Sequence, residues 1–133
     1  LNMATLTPSL TLTSTDASSD TLSFTVEDTL TIAPPQQSIS MVVASTTGSD
    51  NIIKPAGTAV AYVYIRHTGF QTDGTTASTD NCDVEDTDNV AFMRLAPGEF
   101  AFFPYNKAGA SKGVQLQMTG GNARIEYAFF TKG

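Results

Sequence analysis

Leu95-Ala96-Pro97-Gly98-Glu99-Phe100-Ala101-Phe102-Phe103-Pro104 is the stretch on which the reading of the fold turns. It is the most apolar run in the chain and holds its clearest turn. Pro97 presets φ for the second position of a type II turn, and Gly98 supplies the positive φ at the third. Val90 to Leu95 lead into that turn and Glu99 to Phe103 lead out, so the segment reads as an antiparallel hairpin.

The same period of two runs outward in both directions. Downstream, Val114, Leu116 and Met118 alternate with Gln115, Gln117 and Thr119. Gly120-Gly121-Asn122 then reads as a hairpin turn into Ala123 to Thr131. A loop is expected over Asn106 to Gly113. Upstream, Thr58 to His67 is apolar on both faces, as a covered central strand requires. Gly69 to Thr79 is rich in Gly, Ser, Thr and Asp and reads as a surface loop. Cys82 to Asp86 forms a short strand that turns at Thr87-Asp88-Asn89. From Ala59 onward the chain reads as a meander around the Pro97-Gly98 turn.

Towards the N-terminus, Ile39, Met41 and Val43 mark one strand and Ile52-Ile53 another, with Pro34-Pro35 ending the block before them. Leu22, Phe24, Val26, Leu30 and Ile32 share a parity that Asp28 interrupts. Two short strands meeting at Glu27-Asp28-Thr29 fit the usual strand length better than one long bulged strand. Leu6 to Thr13 reads as a half-buried strand, with Pro8 placing its first half at a sheet edge. A strand with a free chain end there could add to a neighbouring subunit's sheet. No window has helical period with caps. The fold expected is all-β: an antiparallel β-sandwich, jelly-roll-like, of about eight to ten short strands. It forms a single domain over 1–133, with residues 1–20 as a candidate extended arm.

Composition excludes several functions. The chain has 133 residues and a net charge of −6, and its seven cations are scattered, against the basic face that nucleic-acid binding needs. There is no signal-peptide pattern and no membrane-length apolar run. Cys82 is the only cysteine, and no Cys/His spacing fits zinc. His67 is the only histidine, no G-x-S-x-G turn accompanies it, and it reads as a surface or strand-end residue. Asp80, Asp83, Glu85, Asp86 and Asp88 could hold calcium through oxygen ligands. Their spacing does not match a calcium loop, and a solvated, self-repelling strand end is the better reading. Trp is absent, which leaves Tyr105 as the residue for stacking a sugar. No catalytic, cofactor or metal site is expected.

The aromatic residues carry the positive signal. Phe102 and Phe103 must face opposite ways on a strand, as must Phe129 and Phe130. One core cannot take all of them, so part of the set meets a second layer or another chain. The candidate interface residues are Phe100, Phe102, Phe103, Tyr105, Phe129 and Phe130.

Two groups of residues carry a family resemblance. The first is Ser9-Leu10-Thr11-Leu12-Thr13-Ser14, with Leu22-Ser23-Phe24-Thr25-Val26 and Leu30-Thr31-Ile32. The second is Tyr62-Val63-Tyr64-Ile65-Arg66, Phe92-Met93-Arg94-Leu95-Ala96-Pro97-Gly98-Glu99-Phe100 and Ile125-Glu126-Tyr127. As a pattern of strands and turns, the chain resembles small virion structural proteins of tailed bacteriophages, particularly of marine and cyanobacterial phages. The resemblance implies no catalytic residue. It implies a virion-located, all-β subunit that assembles with itself, as a trimer, and with a major capsid protein or another virion subunit. Within that class the expectation is a capsid decoration (cement) protein. A tail, neck or fibre component is the alternative, and a carbohydrate-binding module is the second.

Overall fold

The structure is a computed structural model that describes residues 3–33, 39–57, 60–106 and 112–133. The expected turn at Pro34-Pro35, the first residues of the strand expected from Thr58, and most of the loop expected at 106–113 lie outside that set. Among the described residues there are twelve strands, more than the eight to ten expected, and one short 3-10 turn at Gly48–Asp50. The chain divides into two compact units: residues 1–34 with 132–133, and residues 35–131. The strands of the two four-stranded sheets lie between Ser40 and Thr131.

The first unit contains two antiparallel pairs. Strand β1 (Ala4–Leu6) pairs with β4 (Leu30–Ile32), and β2 (Ser9–Ser14) pairs with β3 (Leu22–Glu27). The split at Asp28 is as expected. The single strand expected over Leu6 to Thr13 is not: it breaks at Thr7-Pro8. Proline has no N–H for a ladder, and its carbonyl instead takes the Asp28 N–H at 3.2 Å. The chain end joins this unit through a bridge from Lys132 to Ile32, and the Gly133 N–H donates to the Thr31 carbonyl at 3.0 Å.

The second unit holds β5 (Ser40–Ala44), β6 (Ile52–Lys54), β7 (Ala61–His67), β8 (Cys82–Asp86), β9 (Ala91–Leu95), β10 (Phe100–Tyr105), β11 (Val114–Met118) and β12 (Ala123–Thr131). They make two four-stranded sheets, β10-β7-β12-β5 and β6-β11-β8-β9. Only β8 and β9 are consecutive strands that pair. Every other step along the chain crosses from one sheet to the other, which is jelly-roll topology.

This topology corrects two sequence expectations. The Pro97-Gly98 turn exists: Gly98 has φ 90°, and the Glu99 N–H donates to the Ala96 carbonyl at 3.0 Å. It does not close a hairpin, because β9 pairs with β8 while β10 pairs with β7. The same holds at Gly120-Gly121-Asn122, where β11 and β12 part to different sheets. Alternation tells each strand which face to bury, but not whether the next strand lies beside it or opposite it. Here the turn is pinned to the end of β7. The Gly98 N–H donates to the His67 carbonyl and the His67 N–H to the Glu99 carbonyl, both at 2.9 Å. That anchoring aims β10 into the sheet of β7.

The core lies between the two inner faces. It takes Val63, Ile65 and Ile125 from one sheet and Val84, Leu116 and Met118 from the other. All six are essentially inaccessible, and each contributes roughly 1.5–3 kcal/mol by leaving water. The central position expected for the strand ending at His67 is observed, since β7 lies between β10 and β12.

Candidate functional site

The outward face of β10-β7-β12-β5 can be read row by row from the register. One row runs Phe100, Arg66, Glu126, Met41; the next runs Phe102, Tyr64, Ala128; a third runs Pro104, Tyr62, Phe130. Val43 stands opposite Arg124 at one end. Phe100 is 60% exposed and Phe102 38%, and Met41 and Val43 are also exposed. The Tyr62 and Phe102 rings stack with centroids 6.1 Å apart. The Tyr64 hydroxyl donates to Glu126 Oε1 at 2.8 Å. Burial, then that bond to a carboxylate, hold the Tyr64 phenol above its usual range.

Next to this apolar area lies a shallow depression of about 270 Å³ lined by Met41, Arg66, Thr68, Phe70, Arg124 and Glu126. Arg124 Nε donates to the Thr72 carbonyl at 2.9 Å, which fixes its guanidinium at the rim. The sheet face thus combines apolar side chains with two cations and the Glu126 carboxylate.

The outward positions of the other sheet carry mainly polar side chains, with Ile52 exposed on the edge strand opposite Gln115. Arg94 pairs with Asp83 at 2.6 Å, and Gln115 Nε2 donates to Glu85 Oε1 at 2.6 Å and to Asn89 Oδ1 at 2.7 Å. Gly48 caps this buried Glu85–Gln115 pair so closely that a Cβ there would lie 2.3 Å from Glu85 Oε1.

The six candidate interface residues divide by parity. Phe100, Phe102 and Phe130 are on the outward face. Phe103, Tyr105 and Phe129 turn inward against the core. Phe103 and Tyr105 form an aromatic group with Phe92, at centroid distances of 5.8–6.4 Å. Tyr105 is only 5% exposed, and its hydroxyl donates to the Gly113 carbonyl at 3.0 Å. It is therefore not the exposed ring that sugar stacking requires.

A second uncovered face was missed from sequence. In the β2–β3 ribbon, Leu10 stands opposite Val26, Leu12 opposite Phe24, and Leu22 completes the same face opposite Ser14. These five apolar side chains are all exposed, Phe24 by 49%. The other face carries Ser9, Glu27, Thr11, Thr25, Thr13 and Ser23, with the Thr11 and Thr25 hydroxyls 3.1 Å apart. The parity was legible, but the lack of a cover was not. The warning sign was an apolar stripe shared by only two strands, too few to make a core of their own.

The remaining candidates have structural duties. His67 is wholly buried, not at the surface. The Gly69 N–H donates to Nδ1 at 3.0 Å, so the ring proton sits on Nε2, which donates to the Asp80 carbonyl at 2.9 Å. Both nitrogens are occupied by backbone, and neither is left for proton transfer. Cys82 is buried, and burial followed by the charges of Asp83 and Glu85 pushes its thiol up to about 12, where it is not a nucleophile.

The acidic cluster is not a solvated strand end. Glu85 and Asp86 are buried, and each acid has its own partner. Asp80 accepts the Gly121 N–H, Asp83 holds Arg94, and Asp88 pairs with Lys112. Asp86 accepts the Asp88 and Val90 N–H groups, closing the turn in which Asn89 has φ 65°. Among the described residues no three His, Cys, Asp or Glu side chains gather as metal ligands. Comparison with protein families, curated proteins and solved structures returns no match for this chain.

Proposed function

We propose that this chain is a non-enzymatic virion structural subunit, a capsid decoration protein that associates with itself and grips a shell of repeated subunits. One observation carries the reading: the two sheets have opposite outward faces. One carries the Arg94–Asp83 pair and the buried Glu85–Gln115 pair, with Ile52 exposed on its edge strand, and the other presents Phe100, Phe102, Met41 and Val43 to solvent. A sandwich built only to remain in solution has no use for that asymmetry, whereas a subunit seated on a larger surface does. The jelly roll is also an architecture of viral capsid and lectin domains, which supports the reading by analogy of fold. Multivalent seating on a lattice turns individually weak contacts into firm attachment. The lectin-like alternative depended on an exposed Tyr105, and that ring is interior.

The test is co-sedimentation of the purified chain with virus particles, followed by gold labelling under the electron microscope. Saturable binding with label over the shell is expected. Label confined to the tail or neck, or no binding, would overturn the decoration role.

A further inference from the structure

We propose that the β2–β3 ribbon of one copy lies on the outward face of the β10-β7-β12-β5 sheet of a second copy, with an acidic end of the ribbon at the Arg66–Arg124 depression. This rests on the reading of the chain as an assembling subunit and names the contact through which it assembles.

Charge selects the partner. Residues 3–33 contain Asp16, Asp20, Glu27 and Asp28 and no cation. Asp16 and Asp20 sit at the ribbon's turn and Asp28 just past its base, while Glu27 belongs to the polar face opposite Ser9, so acid flanks the apolar rows at both ends and none lies within them. The sheet face has exposed apolar rows with Arg66 and Arg124 beside them, two cations against the single carboxylate of Glu126, which accepts the Tyr64 hydroxyl. Arg66 makes no ion pair among the described residues. Stacking ribbon on ribbon would instead bring acid against acid in either orientation.

Size agrees. Two strands of six residues span about 20 Å by 10 Å, within the extent of a four-stranded sheet. The five ribbon side chains offer on the order of 400 Å² of apolar surface, about half of the roughly 800 Å² per partner in a standard interface. A ribbon-to-sheet contact is heterologous, so in a closed ring each copy makes it twice, once with each face, and the shortfall is made up. Any closed ring satisfies both uncovered faces at once.

The experiment is sedimentation equilibrium on the full chain and on two variants, Phe24→Asp on the ribbon and Phe102→Asp on the sheet. Each side chain is substantially exposed within its own chain, so each variant should fold. Resistance of Cys82 to a thiol reagent reports that it has, and Leu12→Ser with Phe100→Ser replaces the pair if it has not. The wild type is expected to associate and each variant alone to be monomeric. An equimolar mixture of the two should form a one-to-one dimer, because one intact ribbon and one intact sheet face remain. Raising the salt should weaken the association several-fold, as screening of the arginine–carboxylate attraction requires. A mixture that stays monomeric overturns the proposal. So does a Phe102→Asp variant that still associates while Phe24→Asp does not, since that result means ribbon on ribbon. A wild type monomeric at every concentration overturns it too, and leaves shell binding to be decided by co-sedimentation.

Discussion

Replacing His67 by alanine should be among the most damaging single changes in the chain, and its size can be worked from three facts. The side chain is wholly buried, Nε2 donates to the Asp80 carbonyl at 2.9 Å, and Nδ1 accepts from the Gly69 N–H at 3.0 Å. Truncation leaves one buried carbonyl and one N–H without partners, at about 1–3 kcal/mol each, and adds a cavity where the ring stood. The expected loss is about 3–5 kcal/mol, a large part of the ~5–15 kcal/mol that holds a typical domain folded. His67→Gln keeps a donor and most of the volume and should lose about half as much. Urea unfolding followed by tyrosine fluorescence measures both, with the m-value as a check that the same transition is seen. A loss below ~1 kcal/mol for the alanine variant would refute the assignment of His67 as the clamp between β7 and the loop that follows it.

Three further outcomes are expected. Gly48→Ala should cost about 1–3 kcal/mol, because the new methyl displaces Glu85 from Gln115; an unchanged melting temperature would contradict that packing. Cys82 should resist alkylation in the native protein at pH 8, since its thiol is pushed up to about 12, and should react on the timescale of unfolding in urea; prompt native labelling would contradict its burial. Asp73 accepts the N–H groups of Thr75 and Thr76 and the Thr76 hydroxyl, which lower its carboxyl from 3.8 to about 2. A lowered folded pKa means stabilisation that is complete above pH 4 and disappears as pH falls towards 2. The Thr75 and Thr76 amides should therefore lose hydrogen-exchange protection in that window, and protection unchanged down to pH 2 would refute it.

Strand existence was legible because period-two alternation is a local property. The break between Val26 and Leu30, the strand at Cys82–Asp86 and the opposed directions of Phe102 and Phe103 all followed from it. Pairing was not legible. Pro97-Gly98 and Gly120-Gly121 have the chemistry of hairpin turns, yet both carry the chain across the sandwich, and the choice is made by partners far off in sequence, such as His67 for Gly98. Burial of polar side chains was equally hidden. Glu85, Gln115 and His67 look like surface residues until the chain segments that satisfy them are in place. Only half of the proposed interface could be placed, because counting surplus aromatics says that some lie outside without saying which. The ribbon's exposed face escaped for a related reason: Leu10, Leu12 and Phe24 have the parity of a buried face, and nothing local reports that the layer to cover them is missing.

The most direct measurement is a reconstruction of the assembled particle by electron microscopy, with this chain traced in it. The account predicts the subunit on the shell, with Phe24 of the ribbon and Phe100 and Phe102 of the sheet covered by neighbouring subunits. A particle that lacks the chain, or a subunit in place with those three rings still facing water, would contradict it.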